Sequence, residues 1–524
     1  MTDGRAFTLE EAGAAEPVLK AAWDRSVVGR LTARLVERVG MVLRPLAGRP
    51  PVRALFAAWD ESWVGALARG LWHGQGPALV GLVVLVGLDA WAFNLAARPL
   101  ARWAALAVTA LPVAAGGPAG LYVTLATIPF VPDAVALALT GLLVAATLAR
   151  RLDAAGWRPA RLAPRPGWPV TLLGLLLVVA TVTSVSPAGS FRYLGVWAVA
   201  IGLYWVAAGT ATADGADGDA DRHRGEKVLA RAALALGLSA ALGGLHGLYQ
   251  FAAHTAPVKR AWIDPLAFPS TGTRVFSFWG NPNVFALHLV LTAPLLAVSL
   301  WTAKGRAARL GAALGVVAAG SAAVLTLSRA GWAGLAVAAL VISLSLDRRI
   351  LLAAAAAAAL ALVVSPGLVL ARVVTVFHFS DPTAVHRIRV WESAWRMARD
   401  YWYSGLGLSW RAFAAVYPQY AIQGRVAFHA HNHYLETLLE LGVLGFAALH
   451  AVLLRPLAWL ARLGGHARRT VAGYVLTGCG AAIAGALAFG IGEPIFYLPR
   501  PILLAWAVLG LATAARREGG PGHA

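Results

Sequence analysis

Apolar stretches of about 20 residues recur between residues 77 and 514, each long enough to cross the hydrocarbon core of a bilayer. This feature limits the fold more than any other. Lipid offers no partner for backbone N–H and C=O groups, so a spanning segment must be a helix or part of a closed barrel. Barrel strands alternate apolar and polar residues, whereas these runs are continuous Leu, Ala and Val. Only 13% of the 524 residues are charged, about half the share expected of a soluble domain. The expected fold is all-α, a polytopic transmembrane helical bundle.

The net charge of +20 could suggest nucleic acid, but its placement points elsewhere, so no nucleic-acid partner is expected. Basic clusters occupy short loops between apolar runs: Arg150-Arg151, the linker ADGADGDADRHRGEK, Lys304 to Arg309, Arg348-Arg349, Arg455 to Arg469, and Arg516-Arg517. This is the pattern of cytoplasmic loops. Between the clusters lie candidate spans near 131–149, 169–186, 193–209, 230–251, 281–301, 310–327, 330–346, 350–371, 433–454, 471–491 and 495–514. Region 77–130 adds one or two more, broken by Pro112, Gly116, Gly117 and Pro118 and carrying Asp89. The expected total is about 12 spans. Residues 1–76 are Arg-rich and amphipathic, as in VVGRLTARLVERVGMVLRPL, and suit a cytoplasmic segment at the membrane surface, a loosely ordered tail being the alternative. They show no signal-peptide pattern. The lone Cys479 excludes a disulfide framework and a cysteine-based metal site. The expected divisions are 1–76, the helices of 77–371, a large loop 372–432, the helices of 433–514, and a cytoplasmic tail 515–524.

Alternation leaves residues 252–280, the Ser328-Arg329 turn, residues 372–432 and the Gly492-Glu493-Pro494 turn on the extracytoplasmic side. A loop as long as 372–432 is uncommon unless it is functional or disordered. Its segment SDPTAVHRIRVWESAWRMARDYW predicts a helix starting at Ser380 or Asp381, with Pro382 in the first turn. Ile388, Trp391, Trp395, Ala398 and Trp402 follow at helical spacing, an aromatic face expected to lie on the bilayer surface or pack on the bundle. The loop ends in HAHNHYLE, where Asn432 can cap the next helix.

Arg274, Arg329 and Arg387 fall on the side where basic residues are scarce. A guanidinium cluster there suits bidentate binding of phosphate oxygens; snorkelling anchors at helix ends are the alternative. His429, His431 and His433 alternate and would share one side of an extended chain, which raises a metal site. No local carboxylate or cysteine completes one, so no metal or other cofactor is expected. An imidazole beside an anion-binding arginine set better suits a general base acting on a hydroxyl, although interfacial histidines can also be structural.

Four segments, RVFSFWGNPNVFALHLV, LTLSRAGWAGL, RIRVWESAWRMARDYWYSGLGLSWRAF and HAHNHYLETLLELGVLGF, occur in the order in which the O-antigen ligase and O-antigen polymerase superfamily carries such motifs. The chain resembles that superfamily from about residue 169 to residue 510. The resemblance implies a glycosyltransferase of GT-C-like class in the cytoplasmic (inner) membrane. Such an enzyme passes a glycan from an undecaprenyl-diphosphate carrier to a hydroxyl-bearing acceptor on the outer face. It further implies Arg274, Arg329 and Arg387 at the carrier's diphosphate and His431, in a His-Asn pair, as the catalytic base, with no need for a divalent cation. His429, Asn432, Glu436, Glu440 and Glu493 are supporting candidates, the glutamates orienting His431 or an arginine, or serving as helix-end residues. A branch of the superfamily named for inorganic-carbon transport shares ATIPFVPDAVALALTGLL, AWIDPLAFPSTGTRVFSFWGNPN and HRIRVW, so a bicarbonate-type transporter is the alternative. That branch often lacks the His-Asn pair present here.

Overall fold

The computed structural model describes residues 99–155, 167–210, 219–253, 255, 274–351, 354–355, 382–422 and 427–518. Among them all regular structure is helical. In chain order the helices are α1 (Pro99–Ala114), α2 (Gly117–Thr127), α3 (Asp133–Ala154), α4 (Trp168–Val182), α5 (Pro187–Ala208), α6 (Asp219–Ala252) and α7 (Pro282–Thr302). Then come α8 (Arg306–Leu325), α9 (Arg329–Ser345), α10 (Pro382–Tyr401), α11 (Trp410–Val416), α12 (His433–Ala461), α13 (Val471–Phe489) and α14 (Pro499–Glu518). Starts follow local chemistry. Proline occupies the first turn of α4, α5 and α7, where no N–H is needed. Side chains of Asn281, Ser328, Asn432 and Thr470 accept N–H groups at the starts of α7, α9, α12 and α13.

Seven helices among the described residues are long and apolar enough to cross a membrane: α3, α5, α6, α7, α8, α12 and α13. The protein is thus built as a multi-pass membrane protein, although about 12 spans were expected. Part of the difference is that 1–76, Asp89 and most of 350–371 lie outside the described residues. The rest is physical. Helices α4 and α9 are apolar but shorter. The helix of segment 495–514 begins at Pro499, carries Arg500, Arg516 and Arg517, and is enclosed by protein over nearly all of Pro501 to Ala515, so it falls outside the seven. Trp506 packs edge-on against Trp197 and Tyr204, at 6.1 and 5.7 Å between ring centroids. The helix also continues to Glu518, through the expected boundary at 514.

Basic clusters gather at one end. Arg151 and Arg517 donate to the carbonyls of Gly209 and Ala208, both at 3.3 Å, and Arg468 donates to Leu460 at 3.4 Å. Cations there also complement helix C-termini.

The expected span 433–454 is corrected most. Within α12, Gly442 has φ 65° and ψ 179°, which is not helical. The rings of His433 and His450 lie 5.2 Å apart, whereas seventeen positions of straight helix would separate them by about 25 Å. The chain therefore doubles back. His433 starts beside the end of α13, donating its N–H to Gly490 at 2.7 Å. Residues 433–441 run outward from there, and 443–461 return into the bundle, where Leu460 lies against Gly480. The SGLGLSW turn clasps the bend: Val443 N–H donates to Trp402 at 2.8 Å, Leu406 to Leu439 at 2.6 Å and Gly407 to Glu440 at 3.2 Å. Val185, between α4 and α5, donates to Leu406 at 3.0 Å.

At Gly442 a Cβ would sit 2.2 Å from the Tyr403 carbonyl oxygen, on backbone essentially restricted to glycine, where another residue costs about 1–3 kcal/mol. Gly442→Ala is expected to cost more than about 2 kcal/mol and to lower the thermal midpoint of the detergent-purified protein. An unchanged midpoint would contradict the bend.

Helix α10 begins at Pro382, inside the predicted turn. Its Val390, Ser393, Ala394, Met397 and Ala398 are buried, most of them in a small core with Leu406, Phe413, Tyr417 and Leu439. Of the face expected on the bilayer surface or against the bundle, Ile388, Trp395 and Trp402 are exposed and only Ala398 is buried, so the row is turned outward. Small and flexible side chains let α10 approach the outward arm of α12 more closely than indoles would.

Candidate functional site

Opposite the basic end, the starts of α7, α9, α12 and α14 meet the ends of α8 and α13. Arg274 donates from Nε to the Thr326 carbonyl at 2.8 Å and from Nη2 to Asn283 Oδ1 at 2.9 Å. The FSFWGN loop after it is fixed by Gln250, whose Oε1 accepts Ser277 N–H at 2.8 Å. Asn283 then donates to Glu493 Oε1 at 2.5 Å.

Glu493 is the hub of the site. Its Oε1 also accepts Arg387 Nη2, and its Oε2 faces His431 Nδ1 at 3.4 Å. One carboxylate thus links Arg274 (through Asn283), Arg387 and His431, from four separate stretches of chain. Its side chain is 8% exposed, against 23% for Arg387 and 25% for His431. Burial alone would push this carboxyl up. The Arg387 guanidinium and the hydrogen bond to His431 outweigh it and hold the group at about 2.

His431 sits in left-handed backbone, φ 49°, a conformation uncommon for side-chain-bearing residues and frequent at functional positions. Three neighbours hold it there. Its N–H donates to His429 Nδ1 at 3.2 Å, its carbonyl accepts Trp391 Nε1 at 3.1 Å, and Asn432 caps α12 through Tyr434 and Leu435 N–H while donating to the Ile491 carbonyl at 3.0 Å. The His429 ring lies 4.0 Å from His431 and 4.4 Å from Tyr497. Burial, then the charge on His431, push the His429 imidazole down to about 3, so it accepts the His431 N–H as a neutral ring. His386 adds an imidazole 6.1 Å from His431.

Several expectations change. The three alternating histidines do not share a side: His433 is buried, with Thr437 Oγ1 at 3.1 Å and His450 beside it. Among the described residues no group of three or more His, Cys, Asp or Glu could hold a metal ion. Glu436 and Glu440 orient neither His431 nor an arginine directly. Glu436 accepts Ala430 N–H, and Glu440 accepts Ser409 N–H at 3.0 Å, because the outward arm points their side chains at neighbouring backbone. Arg329 opens α9 between Thr326, which accepts Arg274, and Ala330; a Cβ on Gly492 would lie 3.5 Å from the Ala330 Cβ and 3.7 Å from Arg387 Nη1. It is therefore at the same end as the other two arginines.

Sequence reading missed Asn283 and Trp391 as site residues. Asn283 stands in the FSFWGNPN motif, but its bridge to Glu493 spans 210 positions and leaves no local signal. Arg500 also stands at this end and ties α14 to α3, with Nε 2.7 Å from Asp133 and its guanidinium 4.3 Å from the Trp279 ring.

Residues 314–450, which include Arg329, Arg387 and His431, match the family model described as O-antigen ligase. No curated protein matches the chain.

Proposed function

From its membership of the O-antigen ligase superfamily, we propose that this chain is a membrane glycosyltransferase that moves a glycan from an undecaprenyl-diphosphate carrier to a hydroxyl-bearing acceptor. The observation that carries the reading is the Glu493 hub, which holds a histidine beside two fixed guanidinium groups at one end of the bundle. With Nδ1 turned to the carboxylate, His431 presents Nε2 as its basic nitrogen, the orientation a buried carboxylate imposes on a catalytic imidazole. Nε2 takes the acceptor hydroxyl proton as the oxygen bonds to the anomeric carbon. The bond from that carbon to the phosphate oxygen breaks, and its electron pair leaves with the diphosphate.

Developing charge on the diphosphate is met by Arg387, Arg274 and Arg329. A guanidinium has five donors in a fork that fits phosphate oxygens, and of Arg387's five one goes to Glu493. Donors held in place before reaction stabilise a departing anion without reorganising. These cations supply the neutralisation that a divalent metal would otherwise provide, so transfer is expected to persist in chelator. The site lies opposite the basic clusters, which the positive-inside pattern would put on the extracytoplasmic face.

The test is reconstitution. Purified protein in vesicles is supplied with an undecaprenyl-diphosphate-linked glycan from the source membranes and with the hydroxyl-bearing membrane fraction. Transfer should appear as glycan on the acceptor and released undecaprenyl diphosphate. Absence of transfer to any such acceptor would overturn the reading. Surface glycans of a strain lacking the protein then separate two acceptors: long chains without a capped lipid mean a ligase, and single repeat units mean a polymerase.

A further inference from the structure

The outward face of α10 begins at the site and leads away from it. Arg387, on the first turn, is held to Glu493. Trp391, one turn on, donates to the His431 carbonyl at 3.1 Å. Trp395 follows after another turn and Trp402 closes the row at the end of the helix, 53% and 52% exposed. At helical rise the steps are about 6 Å from Arg387 to Trp391, about 6 Å to Trp395 and about 10 Å to Trp402. The two ends of α10 stand at different heights. Arg387 is level with the Glu493 turn, whereas the Trp402 carbonyl meets Val443 at the tip of the α12 bend, about 13 Å of outward arm beyond His433. The row therefore climbs out of the bundle end.

Its chemistry is mixed. Arg389, Glu392 and Arg396 form a linked set of ion pairs along its edge, at 3.2 and 3.0 Å, with side chains 39%, 41% and 56% exposed. A helix lying in a membrane surface turns one clean apolar face to the lipid. In α10 the apolar face, Val390, Ala394, Met397 and Ala398, is already spent on the protein core. Outward stand the indoles with Ile388 among them, and the charged set runs beside them along one edge. That combination suits a polymer with weakly polar C–H faces and many hydroxyls: indole faces attract polarised C–H groups, and ionised side chains hydrogen-bond hydroxyls.

We propose that Trp391, Trp395 and Trp402 form a binding track for the sugar rings of the donor glycan. The diphosphate lies at Arg387, the first sugar at Trp391, and the chain climbs past Trp395 to Trp402. This rests on the glycan-transfer reading above and adds to it a preference for long glycans.

The test compares Trp395→Ala/Trp402→Ala with the wild-type protein in vesicles, using donors that carry a single sugar or a long glycan. Both rings are more than half exposed, so the variant should fold, and Trp395→Phe/Trp402→Phe should restore most of the effect. For the long donor the KM should rise at least tenfold in the alanine variant with kcat within twofold, while the single-sugar donor, which ends at Trp391, is unaffected. Equal KM values for the long donor in variant and wild type would overturn the track. So would an equal fall in rate for both donors together with quenching of these two indoles by bromine-labelled lipid, which would make the row a membrane contact. A second measurement stands apart from turnover: binding of the long glycan cut from its carrier, read by tryptophan fluorescence. Should wild-type protein transfer neither donor, the glycan-transfer reading fails. Loss of carrier-free glycan binding in the alanine variant would still support the track, and unchanged binding would sink it.

Discussion

Replacing His431 by asparagine is expected to lower the turnover of glycan transfer at least about 100-fold, the contribution typical of a positioned general base. Asparagine is the informative substitution because it tolerates the left-handed backbone that His431 occupies. Alanine should lose activity equally, but unlike asparagine it has no polar side chain to favour this backbone. The surrounding contacts survive either change. Trp391 bonds the backbone carbonyl of residue 431, and Asn432 caps α12 with its own side chain. The KM for the lipid-linked donor should therefore move by less than threefold, since the arginines that meet the diphosphate remain. A His431→Asn enzyme that kept its turnover would remove the imidazole from the mechanism.

The second large effect is expected at Glu493. Glu493→Ala leaves Arg387 and Asn283 facing a gap in a largely buried setting, and breaking a buried pair from one side costs on the order of 3 kcal/mol. The Arg387 side chain keeps some contact with solvent, so the lower part of that range applies. Glu493→Gln keeps the shape but removes the charge, and should lower transfer at least about tenfold through misplacement of His431 and Arg387. The pH dependence has a definite sign. The carboxyl is held at about 2, below its ordinary 4.5. Its stabilisation is thus complete above pH 4.5 and is lost as pH falls toward 2. The thermal midpoint of wild-type protein should drop more steeply below pH 4.5 than that of Glu493→Gln. Parallel curves for the two proteins would show that the pair adds no stability.

Much of the fold was legible because lipid simplifies the code. Continuous apolar runs, basic clusters and Pro or Asn at helix starts placed α3, α4, α7 to α9 and α13 within about five residues and predicted the start of α10, whereas α5 and α6 begin at Pro187 and Asp219, ahead of the expected 193 and 230. Failures arose where protein, not lipid, surrounds a helix. Hydrophobicity at 433–454 reads as one span, yet a single glycine reverses it, and the partners that force the reversal, Tyr403, Leu406 and Gly407, come from the turn before α11. The aromatic row of α10 left a membrane-facing and a bundle-packing reading open, because periodicity cannot say which of two faces is buried when both contain apolar residues. At the site, Arg274, Arg387, His431 and Glu493 were nameable from motif and side. Their joining through one carboxylate was not, since a contact across hundreds of positions has no local pattern. Asn283 and Trp391 were missed for the same reason.

The hub carboxylate follows in sequence every group it links, and this has a consequence for biosynthesis. During synthesis Arg387 and His431 emerge well before residue 493. Until residue 493 emerges between α13 and α14, each lacks the group that later links them. A ribosome stalled before residue 493, or a truncated message, would therefore yield a product that inserts but holds these cationic side chains unanchored, a species suited to membrane-embedded proteases. The site is in this sense closed only when the latest-made of its groups arrives.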